Sequence, residues 1–226
     1  MKEIITCFKL IRYGKKATLN IVMGIVFVGL FLILFPVSLI DGGDMGYLSA
    51  FMLMEGAAFL TQPSMSLSQR GVLSSAPVRR TVEIFYQPLC LVLPSAAGVI
   101  YCMLTGAAAI ALGADCAETA VYQMTMILLF TLLFISVITS LKMNFAGYII
   151  TIIVMAALLV AGQELMSAAV ENIMGRLSPM GTVFAAGGVC ILVCVLMGLL
   201  GIGLCSLLYK RNYGKYVKQM LDMGGY

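Results

Sequence analysis

Two carboxylates interrupt the long apolar runs of this 226-residue chain: Glu55 and Glu164, with the amides Gln62 and Gln163 close to them in sequence. A carboxylate inside a bilayer is costly unless it is protonated, paired or facing water. Glu55 stands about ten residues into its apolar run, which at ~1.5 Å per residue puts it near mid-bilayer. It either lines a translocation route or, protonated, bonds to a neighbouring helix and holds a bundle together. Gln163 and Glu164 fall toward the outer end of a later run, where an outer gate or a solvated rim is expected. These four residues are the candidates for a pathway.

Other chemistry is excluded by what the chain lacks. It contains no histidine, which removes Ser–His proteolysis, His-Glu-x-x-His metalloprotease chemistry and any His-ligated haem or zinc. The nearest approach to a phosphate-binding loop is Gly14-Lys15-Lys16; a P-loop would need Gly at position 9 and Ser or Thr at position 16, where Lys9 and Lys16 stand. No catalytic residue, no metal site and no directly bound cofactor is expected. If the chain belongs to an active pump, a separate subunit supplies the energy.

The elements that must position these residues follow from composition. The chain is 62% hydrophobic and 11% charged, with a mean hydropathy of +1.05, whereas soluble domains are roughly half apolar and a quarter charged. Its uncharged runs of about 20 residues match the hydrocarbon thickness of a bilayer. Backbone groups in lipid must bond internally, as helices or a closed barrel. The runs lack the alternation of barrel strands, so helices are expected near 17–40, 46–67, 85–112, 119–141, 146–169 and 183–208. The expected fold is an all-α integral membrane protein of six transmembrane helices, a single transmembrane domain over 1–226 with the bundle at 17–208 and a tail at 209–226. The first run is too long, and lacks the cleavage signature, to be a removable signal peptide.

Charge orients the bundle. Lys2, Lys9, Arg12, Lys15, Lys16, Arg70, Arg79, Arg80, Lys142, Lys210, Arg211, Lys215 and Lys218 fall on one side, leaving only Arg176 of the 14 basic residues on the other, with Asp41, Asp44, Asp115, Glu118 and Glu171. The positive-inside rule makes the first side, with both termini, cytoplasmic. The net charge of +4 is thus a topology signal and gives no support for nucleic-acid binding. The lipid bilayer is itself a partner: Ile4, Ile5, Phe8 and Ile11 recur at helical spacing with the basic residues largely off that stripe, as in an interfacial helix over 1–16. The alternative is a basic flank that only sets topology.

The one sizeable internal cytoplasmic segment lies at about 67–84. Ser74 and Ser75 ahead of Pro77 suit the start of a helix that runs through Val82 and Phe85 into the third span, and Val72 and Leu73 before it could form a short docking element. Pro63, Pro88 and Pro94 are expected to bend the second and third spans. Gly98, Gly106, Gly187, Gly188 and the stretch Gly198–Gly203 allow close helix packing. Of the seven cysteines, only Cys116 reaches the outer loops, so no disulfide framework is expected and most serve as small buried hydrophobes. The 17 methionines suit either a deformable apolar lining or ordinary core filling. The longest outer loop, 170–182, suits a short re-entrant or surface helix.

The segment around 68–84 resembles the corresponding loop of ABC-2 type transporter permeases, which carry Glu-x-x-x-Gly-x-Leu followed by Pro-Val-Ser-Arg and a helix into the third span. Gly71, Leu73, Pro77, Val78 and Arg80 match that pattern. The amphipathic arm, the six-span plan and Leu177-Ser178-Pro179 before the last span are similar too, so the resemblance covers the whole chain. It departs where the family has an acidic residue, since Gln69 and Arg70 stand there. The resemblance implies a permease subunit in the plasma membrane of a bacterial cell, paired with a second copy or a related permease. It also implies docking on a cytoplasmic ATPase that binds ATP and Mg, through Gln69, Arg70, Gly71, Val72, Leu73, Pro77, Arg79 and Arg80. The expected activity is export of amphipathic or apolar cargo, such as a peptide toxin, a bacteriocin or a drug. Two other classes stay open: a substrate-binding uptake subunit of the energy-coupling-factor kind, and a membrane enzyme or non-transporting scaffold, the former resting on a tight small ligand and the latter on Glu55 or Glu164 alone.

Overall fold

The structure, a computed structural model, describes residues 17–40, 46–69, 79–140, 149–151, 153, 154, 157, 161 and 177–208. Every described element is helical, and no strand occurs among the described residues. Helix α1 is Ala17–Ile40 and α2 is Gly46–Gln69. A short turn at Arg79–Thr81 passes through a π-helical turn, Val82–Tyr86, into α3, Gln87–Ala111. Helices α4 (Ala117–Ser140) and α5 (Pro179–Leu208) complete the described bundle. Five of the six expected runs reappear as helices to within a few residues, and most of the run at 146–169 lies outside the described residues. The third begins earlier than its hydropathy suggested, because helix propagates back through Glu83 to Arg79.

Four of these helices are long and apolar enough to cross a membrane: α1, the rod Val82–Ala111, α4 and α5. Helix α2, with 24 residues, is about 36 Å long, sufficient for a hydrocarbon core of about 30 Å, but it is more polar than the other four. Ser49, Thr61 and Ser64 account for part of that polarity and are turned inward, away from lipid. Within the run at 146–169, the described residues are helical and include the exposed Ile150, Ile153 and Val154. The expected interfacial helix at 1–16, the segment 70–78, the outer loop to residue 176 and the tail at 209–226 lie outside the described residues.

Close approach sets the packing. Helices α1 and α2 form an antiparallel hairpin in which a Cβ on Gly56 would lie 2.9 Å from Val28 Cγ2 and 3.0 Å from Gly24 O. Phe27 stacks on Phe59 beside that contact, with centroids 5.4 Å apart. Helix α3 runs antiparallel to α2, α4 and α5. Gly98 gives way to Leu53, Gly106 to Ala120, and Gly187 to Met103. Helix α4 is the innermost: one side of it carries Ala120, Met124, Ile127, Thr131 and Ile135 into the core. Helices α2, α4 and α5 thus run in one sense, α1 and α3 in the other.

Two ends are fixed by recognisable caps. Helix α3 stops where Gly113 adopts φ +92°; Ala114 N–H donates to Ala109 O (3.0 Å) and Gly113 N–H to Ile110 O (2.9 Å), the paired bonds of a Schellman stop. Helix α5 begins with Ser178, whose Oγ accepts from Gly181 N–H at 3.2 Å, and Pro179 occupies the first helical position, where a missing N–H costs nothing.

Candidate functional site

Helices α2, α3 and α4 turn a seam of polar groups toward one another. Ser49 Oγ on α2 donates to Gln123 Oε1 on α4 over 2.9 Å. Nearer the middle, Thr131 Oγ1 lies 2.7 Å from Ser95 Oγ, and both hydroxyls approach Met54 Sδ, at 3.5 and 3.3 Å. Each also has a carbonyl one turn back, Ile127 O at 2.6 Å and Leu91 O at 2.7 Å. A hydroxyl with an acceptor on its own helix is inexpensive to bury and free to bridge to a neighbour. This seam holds the helices together. Sequence reading did not single it out, although Leu91, Ser95, Gly98 and Cys102 share one helical face and the signal was there.

At neither end is the seam fully satisfied. Gln87 is fully buried, and neither its Oε1 nor its Nε2 has a hydrogen-bond partner among the described residues; the same holds for Gln62 Oε1 and Gln123 Nε2. Glu83, one turn before Gln87, is only 2% exposed. Tyr86 OH donates to Leu60 O at 3.3 Å, tying this turn to α2. Pro88 explains the π geometry. It offers no N–H, and its ring would crowd the carbonyl of Ile84 four residues back, which a wider turn relieves. Glu83 and Gln87 were missed because hydropathy began the span after Glu83 and gave Gln87 no reason to stand out. A narrow gap between α3, α4 and α5, lined by Pro88, Leu91, Ile135, Ile138, Thr139 and Cys205, has no room for a water molecule.

Glu55 lies elsewhere, on the strip of α2 between its contacts with α1 and α4. On the α1 side Phe59 stacks on Phe27. On the α4 side Phe51 meets Phe130 edge-on, with centroids 5.8 Å apart. Helices α1 and α4 scarcely touch each other, so among the described helices a groove is left over this strip. Leu48 is exposed there, and Phe51, Glu55, Ala58, Phe59 and Gln62 are partly buried. Among the described residues no side chain bonds the Glu55 carboxylate.

The sequence-derived candidates are therefore split. Glu55 and Gln62 share one face of α2. Gln69 is the last residue of α2, Arg79 is the first residue of the rod that leads into α3, and Arg80 beside it is exposed. Arg70, Gly71, Val72, Leu73, Pro77, Gln163 and Glu164 lie outside the described residues. Cys116, in the connection between α3 and α4, is buried at 2% exposure with its thiol 4.0 Å from Gly106 O. No protein-family model, no curated protein and no solved structure matches this chain.

Proposed function

We propose that this chain is the membrane subunit of an ATP-driven ABC-2 type exporter, forming half of a pathway for amphipathic or apolar cargo with a second permease copy. In this reading it is a multi-pass protein of a bacterial plasma membrane, crosses six times with both termini cytoplasmic, and is energised by a separate ATPase. The observation that carries the proposal is the unbroken helical rod from Arg79 to Ala111. It joins the basic segment that resembles a coupling element to the interior of the bundle, so a push near Arg80 would reach Gln87 and Ser95 as rigid-body motion.

The six-span count draws support from helix direction. Helices α4 and α5 run in the same sense, so the chain between Ser140 and Leu177 must return from one end of the bundle to the other. A single crossing in the apolar run 146–169 does this, and the basic residues then gather on one face.

The test is reconstitution with a candidate ATPase, sought first in the neighbouring reading frames. The permease is expected to copurify with it and to stimulate its ATP hydrolysis, and a double Arg79→Ala, Arg80→Ala variant is expected to lose that stimulation while melting like the parent. Failure to associate, or full stimulation by the double variant, would sink the reading.

A further inference from the structure

We infer that the groove over α2 between α1 and α4 is a binding site for a lipophilic organic cation, with Glu55 as its counter-ion and the pairs Phe51/Phe130 and Phe27/Phe59 as its walls. The inference deepens the cargo of the proposed exporter, and for the direction of transport it rests on that reading.

Three observations converge on this occupant. Phe51, Glu55 and Phe59 stand at i, i+4 and i+8, so on a helix each ring neighbours the carboxylate, one turn above and one turn below. Each ring is held by a partner on a different wall, Phe130 of α4 at 5.8 Å and Phe27 of α1 at 5.4 Å. The carboxylate has no bonding partner among the described residues and is partly open to the groove. The ionised side chain on a face open only to lipid would carry a large desolvation cost, which a bound cation would offset.

The chemistry selects among cations. A small hydrated ion such as Na+ or Mg2+ demands several oxygen ligands in a compact shell, whereas the strip offers the Glu55 carboxylate and, two turns away, the single amide of Gln62, among aromatic rings, Ala58 and Leu48. A diffuse organic cation needs no such shell. It gains from the negative faces of aromatic rings, from one ionised carboxylate, and from moving its apolar surface into a groove already inside the membrane. The seam of Ser49, Ser95 and Thr131 points into the bundle and is not part of this site.

Tetraphenylphosphonium is the probe, with tetraphenylborate as its anionic isostere and triphenylphosphine oxide as a neutral analogue. Equilibrium dialysis against the full chain in nanodiscs, without any ATPase, is expected to show saturable binding of the phosphonium alone. Glu55→Gln is expected to weaken it by about tenfold or more, as loss of a charged partner in a desolvated setting implies, and Glu55→Asp to retain most of it. Phe51→Leu and Phe59→Leu are expected to cost roughly two- to fivefold each, the range of a single cation–π contact. Thermal melts establish that each variant is folded. Equal binding of the neutral analogue, undiminished binding by Glu55→Gln, or no phosphonium binding by the folded parent would overturn the site, leaving the groove to an acyl chain or a second copy of the chain. The two readings separate cleanly. A chain that binds phosphonium but recruits no ATPase keeps the site and loses the exporter, and a chain that recruits the ATPase but ignores phosphonium loses only the site.

Discussion

At the scale of single residues, Gln87 and Cys116 show opposite consequences of burial. Gln87 places two polar atoms in the interior without partners among the described residues, and each such atom costs about 1–3 kcal/mol. Gln87→Leu, close in volume, is expected to raise stability by about 1–2 kcal/mol. Thermal unfolding in detergent reads this, and a lower melting temperature would mean that the amide is satisfied by something the variant cannot hold. For Cys116, burial and then the neighbouring Asp115 carboxylate push the thiol above its ordinary range. The thiolate is the species that reacts, so below that raised value the neutral form dominates. In a variant keeping only this cysteine, alkylation at pH 7.5 should be slow and should accelerate as pH rises past the usual thiol range; labelling at the rate of the denatured chain at pH 7.5 would contradict it. Neither property was legible in the sequence. A glutamine four residues after Glu83 looks like a solvated one, and Cys116 looked like an outer-loop thiol until Gly106 closed over it. Glu55 was legible, because a carboxylate in an apolar run declares its own cost, but its aromatic flanks gained meaning only once α1 and α4 had been placed around them.

At the scale of elements, hydropathy located the helices well and their irregularities poorly. The spans at 17–40 and 119–141 reappear almost unchanged, since a long uncharged run in lipid has no alternative to helix. Pro88 signalled a bend in the third span, but whether a proline kinks a helix or widens a turn depends on whether the neighbouring helix leaves space, and here α5 packs close, with Gly201 against Pro88. The Ser178-Pro179 start of α5 was visible as a motif, and its capping bond gives the physical reason for the pair. The α1–α2 contact depends on glycine in a way that the clusters noted in sequence did not reveal, because neither Gly24 nor Gly56 lies in one of them. Gly56→Leu is expected to force α1 away from α2 and to cost about 1–3 kcal/mol, as overpacking does. Gly188→Leu, where nothing stands within 4 Å, is expected to change the melting temperature little. Equal effects of the two substitutions would rule out the close approach as the cause.

At the scale of the whole molecule, the distinction between interior and lipid-facing surface is carried by α4 inside and by α1 and α5 outside, where residues such as Ile25, Ile33, Leu192 and Leu199 are exposed. Composition made the membrane class legible, but the path between Ser140 and Leu177 was read from hydropathy and charge, and helix direction is the independent argument for it. Single cysteines at positions 43, 114 and 175, in a cysteine-free background, are expected to react with an impermeant maleimide from one side of sealed vesicles, and those at 72, 143 and 215 from the other. Positions 143 and 175 reacting from the same side would remove the fifth crossing. The polar seam also has a consequence in time. Among the described residues, the side chains that Gln123 and Thr131 of α4 bond across the bundle, Ser49, Met54 and Ser95, all precede α4 in the chain. During synthesis its Gln123 and Thr131 therefore enter the membrane after the groups that receive them. For these two side chains, the described partners are already off the ribosome when α4 inserts.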